Sequence, residues 1–134
     1  MELIFKLVIR LGILATIISI LFIGWFIYMS RDMCGNYLHS TLDSPERDKK
    51  VVIYQRDCGA TTGFTTQISL LRAGEKLEND SGNIFIISGH PDEVAPQVKW
   101  INSSSLRISR KLNGREYLAK TSYGWFDKVS IEYD

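Results

Sequence analysis

The sequence predicts a mainly β protein on a membrane anchor. An N-terminal transmembrane helix is followed by a small antiparallel β meander or sandwich of about seven strands. Three observations carry this. The first 29 residues contain a long uncharged apolar run. Beyond Val51, short β-branched and aromatic stretches alternate with turn residues. No amphipathic helical period follows residue 30.

The anchor is Leu11 to Met29, "LGILATIISILFIGWFIYM", 19 residues without a charge. At about 1.5 Å of rise per residue it reaches roughly 28 Å, close to the hydrocarbon thickness of a bilayer. Lys6 and Arg10 precede it and can snorkel to headgroups. Trp25 and Tyr28 stand near the other end, where amphipathic rings favour the interface. A cleaved signal peptide has a shorter apolar region and ends at a small-x-small site. Here the run ends Tyr28-Met29-Ser30-Arg31-Asp32, so an uncleaved signal anchor is expected.

Charge excludes one class of partner. The chain has 16 Lys and Arg against 15 Asp and Glu. Lys6, Arg10 and Glu2 precede the span, which leaves 14 of each sign beyond it. A nucleic-acid binder needs a basic surface to neutralise phosphates, and this chain offers none. The amine, Lys6 and Arg10 crowd the N-terminal edge of the span, whereas only Arg31 lies so near the other edge. Arg31, Arg47, Lys49 and Lys50 follow the span within about 20 residues, so the charge count alone leaves orientation open. The crowding at the N-terminal edge and the two cysteines of the domain favour an N-terminus in the cytoplasm and a C-terminal domain in the periplasm or outside the cell.

Residues 30–49 read as a tether. The segment is polar, lacks a sustained period and carries a turn at Asp43-Ser44-Pro45-Glu46. Residues 50–134 form the β domain. "VVIYQR" is β-branched and aromatic. In "TQISLLR", Ile68 and Leu70 alternate with Gln67 and Ser69, the pattern of a half-buried strand. "AGEKLENDSGN" is a loop, "IFIIS" a short apolar strand, and "GHPDEVAPQ" a break. "VKWI" and "LRISR" flank a hairpin turn at Asn102-Ser103-Ser104-Ser105. Asn113-Gly114 is the strongest single turn signal, because both residues tolerate positive φ. In the closing "DKVSIEY", Val129, Ile131 and Tyr133 share one face.

Cys34 and Cys58 are the only cysteines. In an oxidising compartment they are expected to pair. The chain-entropy model gives about 3.5 kcal/mol for a loop of about 25 residues. The rival reading makes Cys58 a thiolate activated by His90, in a small envelope hydrolase or transferase. No Cys-His signature surrounds either residue, so the staple is the expected role. Two histidines and two paired cysteines leave no zinc set, and no cofactor is expected.

The candidate binding residues lie in loops. Arg56, Asp57, Thr61, Thr62 and Phe64 surround Cys58 in "RDCGATTGF", and Arg56 and Asp57 are placed to form a local ion pair. The loop lacks the G-x-x-x-x-G-K-[ST] spacing of a phosphate cradle. Most of the aromatic side chains Trp100, Tyr117, Tyr123, Phe126 and Tyr133 are expected in the core. Trp125, after Gly124, is the candidate exposed aromatic contact, because it interrupts a strand pattern at a turn.

Cys34-Gly35-Asn36, Ser44-Pro45, Arg56-Asp57-Cys58-Gly59-Ala60-Thr61-Thr62-Gly63-Phe64, Val98-x-Trp100 and Leu106-x-Ile108 follow one another in an order that resembles a family. It is a functionally uncharacterised family of small bacterial membrane-anchored or lipoprotein-like extracytoplasmic domains. The Arg-Asp-Cys-Gly-Ala-Thr-Thr run is the most specific part. Such proteins tend to read Ser-Pro-Asp-Gly-Lys at the first turn, where this chain has Ser44-Pro45-Glu46-Arg47-Asp48-Lys49. The resemblance implies a bacterial, extracytoplasmic β domain at the inner membrane and supplies no activity. The expected function is a non-enzymatic interaction module whose partner is another envelope protein or an incoming one, as for an immunity or exclusion protein. An accessory subunit of a membrane complex, contacting through Leu11 to Met29, is the remaining alternative.

Overall fold

The structure is a computed structural model and describes residues 1–30, 33–59 and 61–134. Arg31 and Asp32 of the expected tether, and Ala60 of the cysteine motif, lie outside the described residues. The chain divides into two compact units, Met1–Met33 and Cys34–Asp134.

The first unit is one helix, α1 (Glu2–Ser30), long and apolar enough to cross a membrane. Its apolar side chains are exposed all round. A helix that is apolar on every side needs an apolar surround to be stable. The hydroxyls of Thr16 and Ser19 donate back to the carbonyls of Gly12 and Ala15, both at 2.9 Å. Neither polar group is therefore left unpaired in an apolar environment.

Among the described residues, the second unit holds nine strands in two sheets. The first sheet contains β1 (Gly35–Asp43), β2 (Lys49–Asp57), β3 (Thr65–Arg72), β4 (Phe85–Ser88) and β7 (Leu118–Ala119), side by side in that order. The second contains β5 (Gln97–Asn102), β6 (Ser105–Ser109), β8 (Ser122–Tyr123) and β9 (Val129–Tyr133), in the order β5-β6-β9-β8. All pairs are antiparallel except β6 with β9, which is parallel. One four-residue helix, α2 (Pro91–Val94), occupies the expected break.

The two sheets enclose one core. Val51, Ile53, Ile68, Phe85 and Ile87 of the first sheet meet Trp100, Leu106, Ile108, Val129 and Ile131 of the second. Fully burying a side chain of this kind is worth about 1.5–3 kcal/mol. The alternation of Val129 and Ile131 with exposed Ser130 and Glu132 is the expected one, and the β5–β6 hairpin turns where expected.

Two expectations are corrected. The first is the tether: the domain begins at Cys34, and nine residues of the expected tether form β1. β1 is an exposed edge strand, so its sequence carries no apolar period. Its register on β2, and the bond from Trp100 Nε1 to the Leu42 carbonyl at 3.3 Å, hold it in place. The second is β3, which is buried on both faces. The loop Leu77–Asn83 folds across its outer face as a strap, and polar bonds replace an apolar contact there. Gln67 Oε1 accepts from Ser81 Oγ and the Gly82 N–H, and Ser69 Oγ from the Asn83 N–H. Gly82 fits because a Cβ there would lie 3.1 Å from the Phe85 carbonyl oxygen and 3.2 Å from that of Ile68. Asn113-Gly114 turns the chain between β6 and β7 as expected, with Gly114 at φ +80°; the flanking strands join different sheets, β6 pairing with β5 and β9 and β7 with β4. The turn wraps a carboxylate. Glu116, its side chain 4% exposed, accepts from the N–H groups of Asn113 and Gly114 and from Arg110 Nε.

Candidate functional site

β2 and β3 run side by side, with Arg56 opposite Thr65 at one end and Lys49 opposite Arg72 at the other. At about 3.3 Å per residue these ends are roughly 23 Å apart. The candidate residues divide between them.

The disulfide end carries Cys34 and Cys58, bonded with S–S 2.04 Å. Their neighbours Gly35 and Asp57 are cross-strand partners, so the strand register places the two sulfurs together. Bonded to Cys34, the Cys58 sulfur is not a thiol that His90 could activate. The expected Arg56–Asp57 ion pair does not form. Arg56 Nη1 donates to Asn36 Oδ1 at 2.7 Å and Asn79 Oδ1 at 3.2 Å. Asn36 Nδ2 in turn donates to the carbonyls of Glu78 and Asp80. Arg56 thus clamps the strap onto the sheet, because a guanidinium can reach two acceptors at once. Asp57 accepts from the Gly59 N–H at 2.9 Å, a local turn bond that draws its carboxylate away from Arg56.

The threonine hydroxyls are largely committed to the chain itself. Thr62 donates to the Gly59 carbonyl, Thr65 to that of Arg56 and Thr66 to that of Gly89. Thr61 and Thr62 are exposed. Phe64 is half exposed and meets the His90 ring edge-on at 6.0 Å. His90 caps α2, its Nδ1 accepting from the Asp92 N–H at 3.2 Å. His39 and His90 approach different oxygens of Asp92, at 3.5 and 3.4 Å. Among the described residues no three such groups converge on a metal position.

The other end is open. A groove of about 500 Å³ lies between Asp48 and Lys49, the end of β3 and the turn joining β8 to β9. Leu70 and Asn83 form its inner part, with Arg72, Glu75 and Tyr123 beside them. Trp125 and Phe126 line it with 96% and 100% of their surface exposed. Gly124 makes this display possible. It has φ +103°, and a Cβ there would lie 2.8 Å from the Asp127 carbonyl oxygen. The tight turn leaves the next two side chains no core to enter. Asp48 and Lys49 neutralise one another at the rim. The bonds from Lys49 and from the Ser44 hydroxyl hold Asp48 below the usual carboxylate range, and Asp48 raises Lys49.

The expected core aromatics divide accordingly. Trp100 is buried and Tyr123 and Tyr133 pack on the core, while Tyr117 and Phe126 are exposed. Trp125 is exposed as the turn signal predicts. Phe126 is the residue that sequence reasoning missed: the same glycine turn that exposes Trp125 exposes its neighbour. Trp125 and the cluster around Cys58 do not form one site.

No curated protein and no solved structure matches the chain. A family of unknown function, DUF5412, matches over residues 2–125, which takes in α1 and nearly all of the β domain. The chain therefore belongs to the DUF5412 family.

Proposed function

We propose that this protein is a membrane-anchored, extracytoplasmic interaction module that binds a protein partner through the groove rimmed by Trp125 and Phe126. The observation that carries the reading is the near-complete exposure of two adjacent large aromatic side chains beside a groove. Exposed apolar surface of this kind is uncommon on a protein without a partner, and Trp is the residue most enriched in interface hot spots. The β domain supplies a rigid platform, so little order has to be created on binding.

The extracytoplasmic location is supported by the positive charges before the span and by the cysteine pair, which persists in oxidising surroundings. In this reading α1 spans the bacterial inner membrane once, with the N-terminus cytoplasmic. The protein acts by contact and not by catalysis. The partner is another envelope protein or one entering through the envelope, the setting of an immunity or exclusion protein.

Affinity purification from native membranes tests this. The double variant Trp125→Ala/Phe126→Ala loses partners that wild type retains, whereas Thr61→Ala/Thr62→Ala keeps them. An identical partner set for wild type and the Trp125/Phe126 variant would overturn the reading.

A further inference from the structure

The turn at Asn113-Gly114 closes no hairpin, and its hydrogen bonds gather on two side chains, Glu116 and Asn113. Asn-Gly is the dipeptide in which the following backbone nitrogen meets least steric hindrance in attacking the asparagine side chain. Four donors converge there. The Gly114 N–H donates to Glu116 Oε2 at 3.0 Å. The Arg115 N–H donates to Asn113 Oδ1 at 3.1 Å. Arg110 Nε and the Asn113 N–H hold the carboxylate from its other sides, at 3.4 and 3.3 Å. Asn113, Gly114 and Arg115 are all exposed, so water reaches the site.

We infer that Asn113 is a self-modifying site, at which the folded loop drives conversion of the asparagine to a cyclic imide and then to aspartate or isoaspartate. The steps balance with water as the only co-reactant. Glu116 takes the proton from the Gly114 nitrogen, and that nitrogen attacks Asn113 Cγ. Negative charge then develops on Oδ1, where the Arg115 N–H already points. This is the placement by which a fixed backbone donor stabilises an oxyanion. Nδ2 departs as ammonia, carrying the proton that Glu116 returns. Water then opens the imide on either side. Opening at one carbonyl leaves an ordinary aspartate in place of the asparagine, and opening at the other gives isoaspartate with one more carbon in the backbone.

The product undoes the arrangement that forms it. Imide formation removes the Gly114 N–H, the shortest of the bonds holding Glu116. Hydrolysis returns that N–H but sets a second carboxylate beside the first, and the two like charges repel. The loop after β6 is thereby released in aged molecules, next to Tyr117, whose N–H bonds to the Ile86 carbonyl at the edge of β4.

Peptide mapping by mass spectrometry of the full chain in detergent, sampled during incubation at neutral pH, tests this. The folded wild type is expected to convert Asn113 faster than the same chain denatured in urea and detergent. Glu116→Gln is expected to slow the folded reaction by about 10²-fold, the lower end of what a positioned base contributes. Arg110→Ala loosens the same loop but keeps the carboxylate, and is expected to convert faster than Glu116→Gln. Slower conversion in the folded chain than in the denatured one would overturn the inference. So would a Glu116→Gln variant that reacts as fast as wild type.

Discussion

The two ends of the β domain differ in what they do with their polar and apolar groups. At the disulfide end nearly every notable side chain is committed to its own chain. Cys58 is bonded to Cys34, Arg56 to Asn36 and Asn79, Asp57 to the Gly59 N–H, and Thr62, Thr65 and Thr66 to carbonyls. At the groove end, Trp125 and Phe126 have almost no contact with the domain at all. An unusual sequence motif therefore marks architecture here, and a glycine turn marks the apolar surface left exposed, where the proposed partner would bind.

That contrast makes stability and binding separable. The largest expected effect is at the disulfide. Cys34→Ser/Cys58→Ser loses about 3.5 kcal/mol of stability by the chain-entropy model, read as a lower denaturation midpoint, while groove binding below that midpoint is unchanged. The aromatic pair comes next and acts in the opposite sense. Trp125→Ala/Phe126→Ala weakens partner binding by about 2–4 kcal/mol, the range of interface hot spots, and moves stability by less than about 0.5 kcal/mol. A large stability loss in that variant would show that the pair serves the fold.

Arg56→Ala tests the clamp. Losing charge-assisted bonds to the strap costs about 1.5–3 kcal/mol. Hydrogen exchange should rise in Leu77–Asn83 before it rises in β9, because the clamp holds the strap and not the second sheet.

Tyr133 supplies a pH signature. Burial, with the Glu116 carboxylate nearby, pushes its hydroxyl up to about 12. The folded state thus favours the neutral form. That contribution is complete below the ordinary tyrosine value near 10 and is lost as pH rises through about 12. Tyr133→Phe should flatten the alkaline loss in that window, seen by thermal melts across pH. It does so at the expense of the bond from Tyr133 OH to the Lys120 carbonyl. The smallest effect is expected at Thr61→Ala/Thr62→Ala, under about 0.5 kcal/mol in stability, as for exposed positions generally.

Much of this was legible in the residues. The uncharged run of 19 residues announced α1, and the solitary pair of cysteines announced the bond between them. Val129 and Ile131 alternated as a strand facing a core does. Three features were hidden for physical reasons. β1 is an exposed edge, so burial imposes no pattern on it. Gln67 and Ser69 look solvent-facing, yet the loop that follows β3 folds back and satisfies them with hydrogen bonds instead of water. The parallel pairing of β6 with β9 joins segments about twenty residues apart, a relation that local periodicity does not encode. At the candidate site, Gly124 gave away Trp125. The groove beside it was out of reach, because Lys49, Leu70 and Tyr123 meet only in the fold.

The most direct test of the central claim compares two probes on one protein in native membranes. A photo-crosslinking side chain replaces Phe126 in one sample and Thr61 in the other. The account predicts a discrete cross-linked partner from position 126 and none from position 61. Partner capture from position 61 with nothing from position 126 would contradict it.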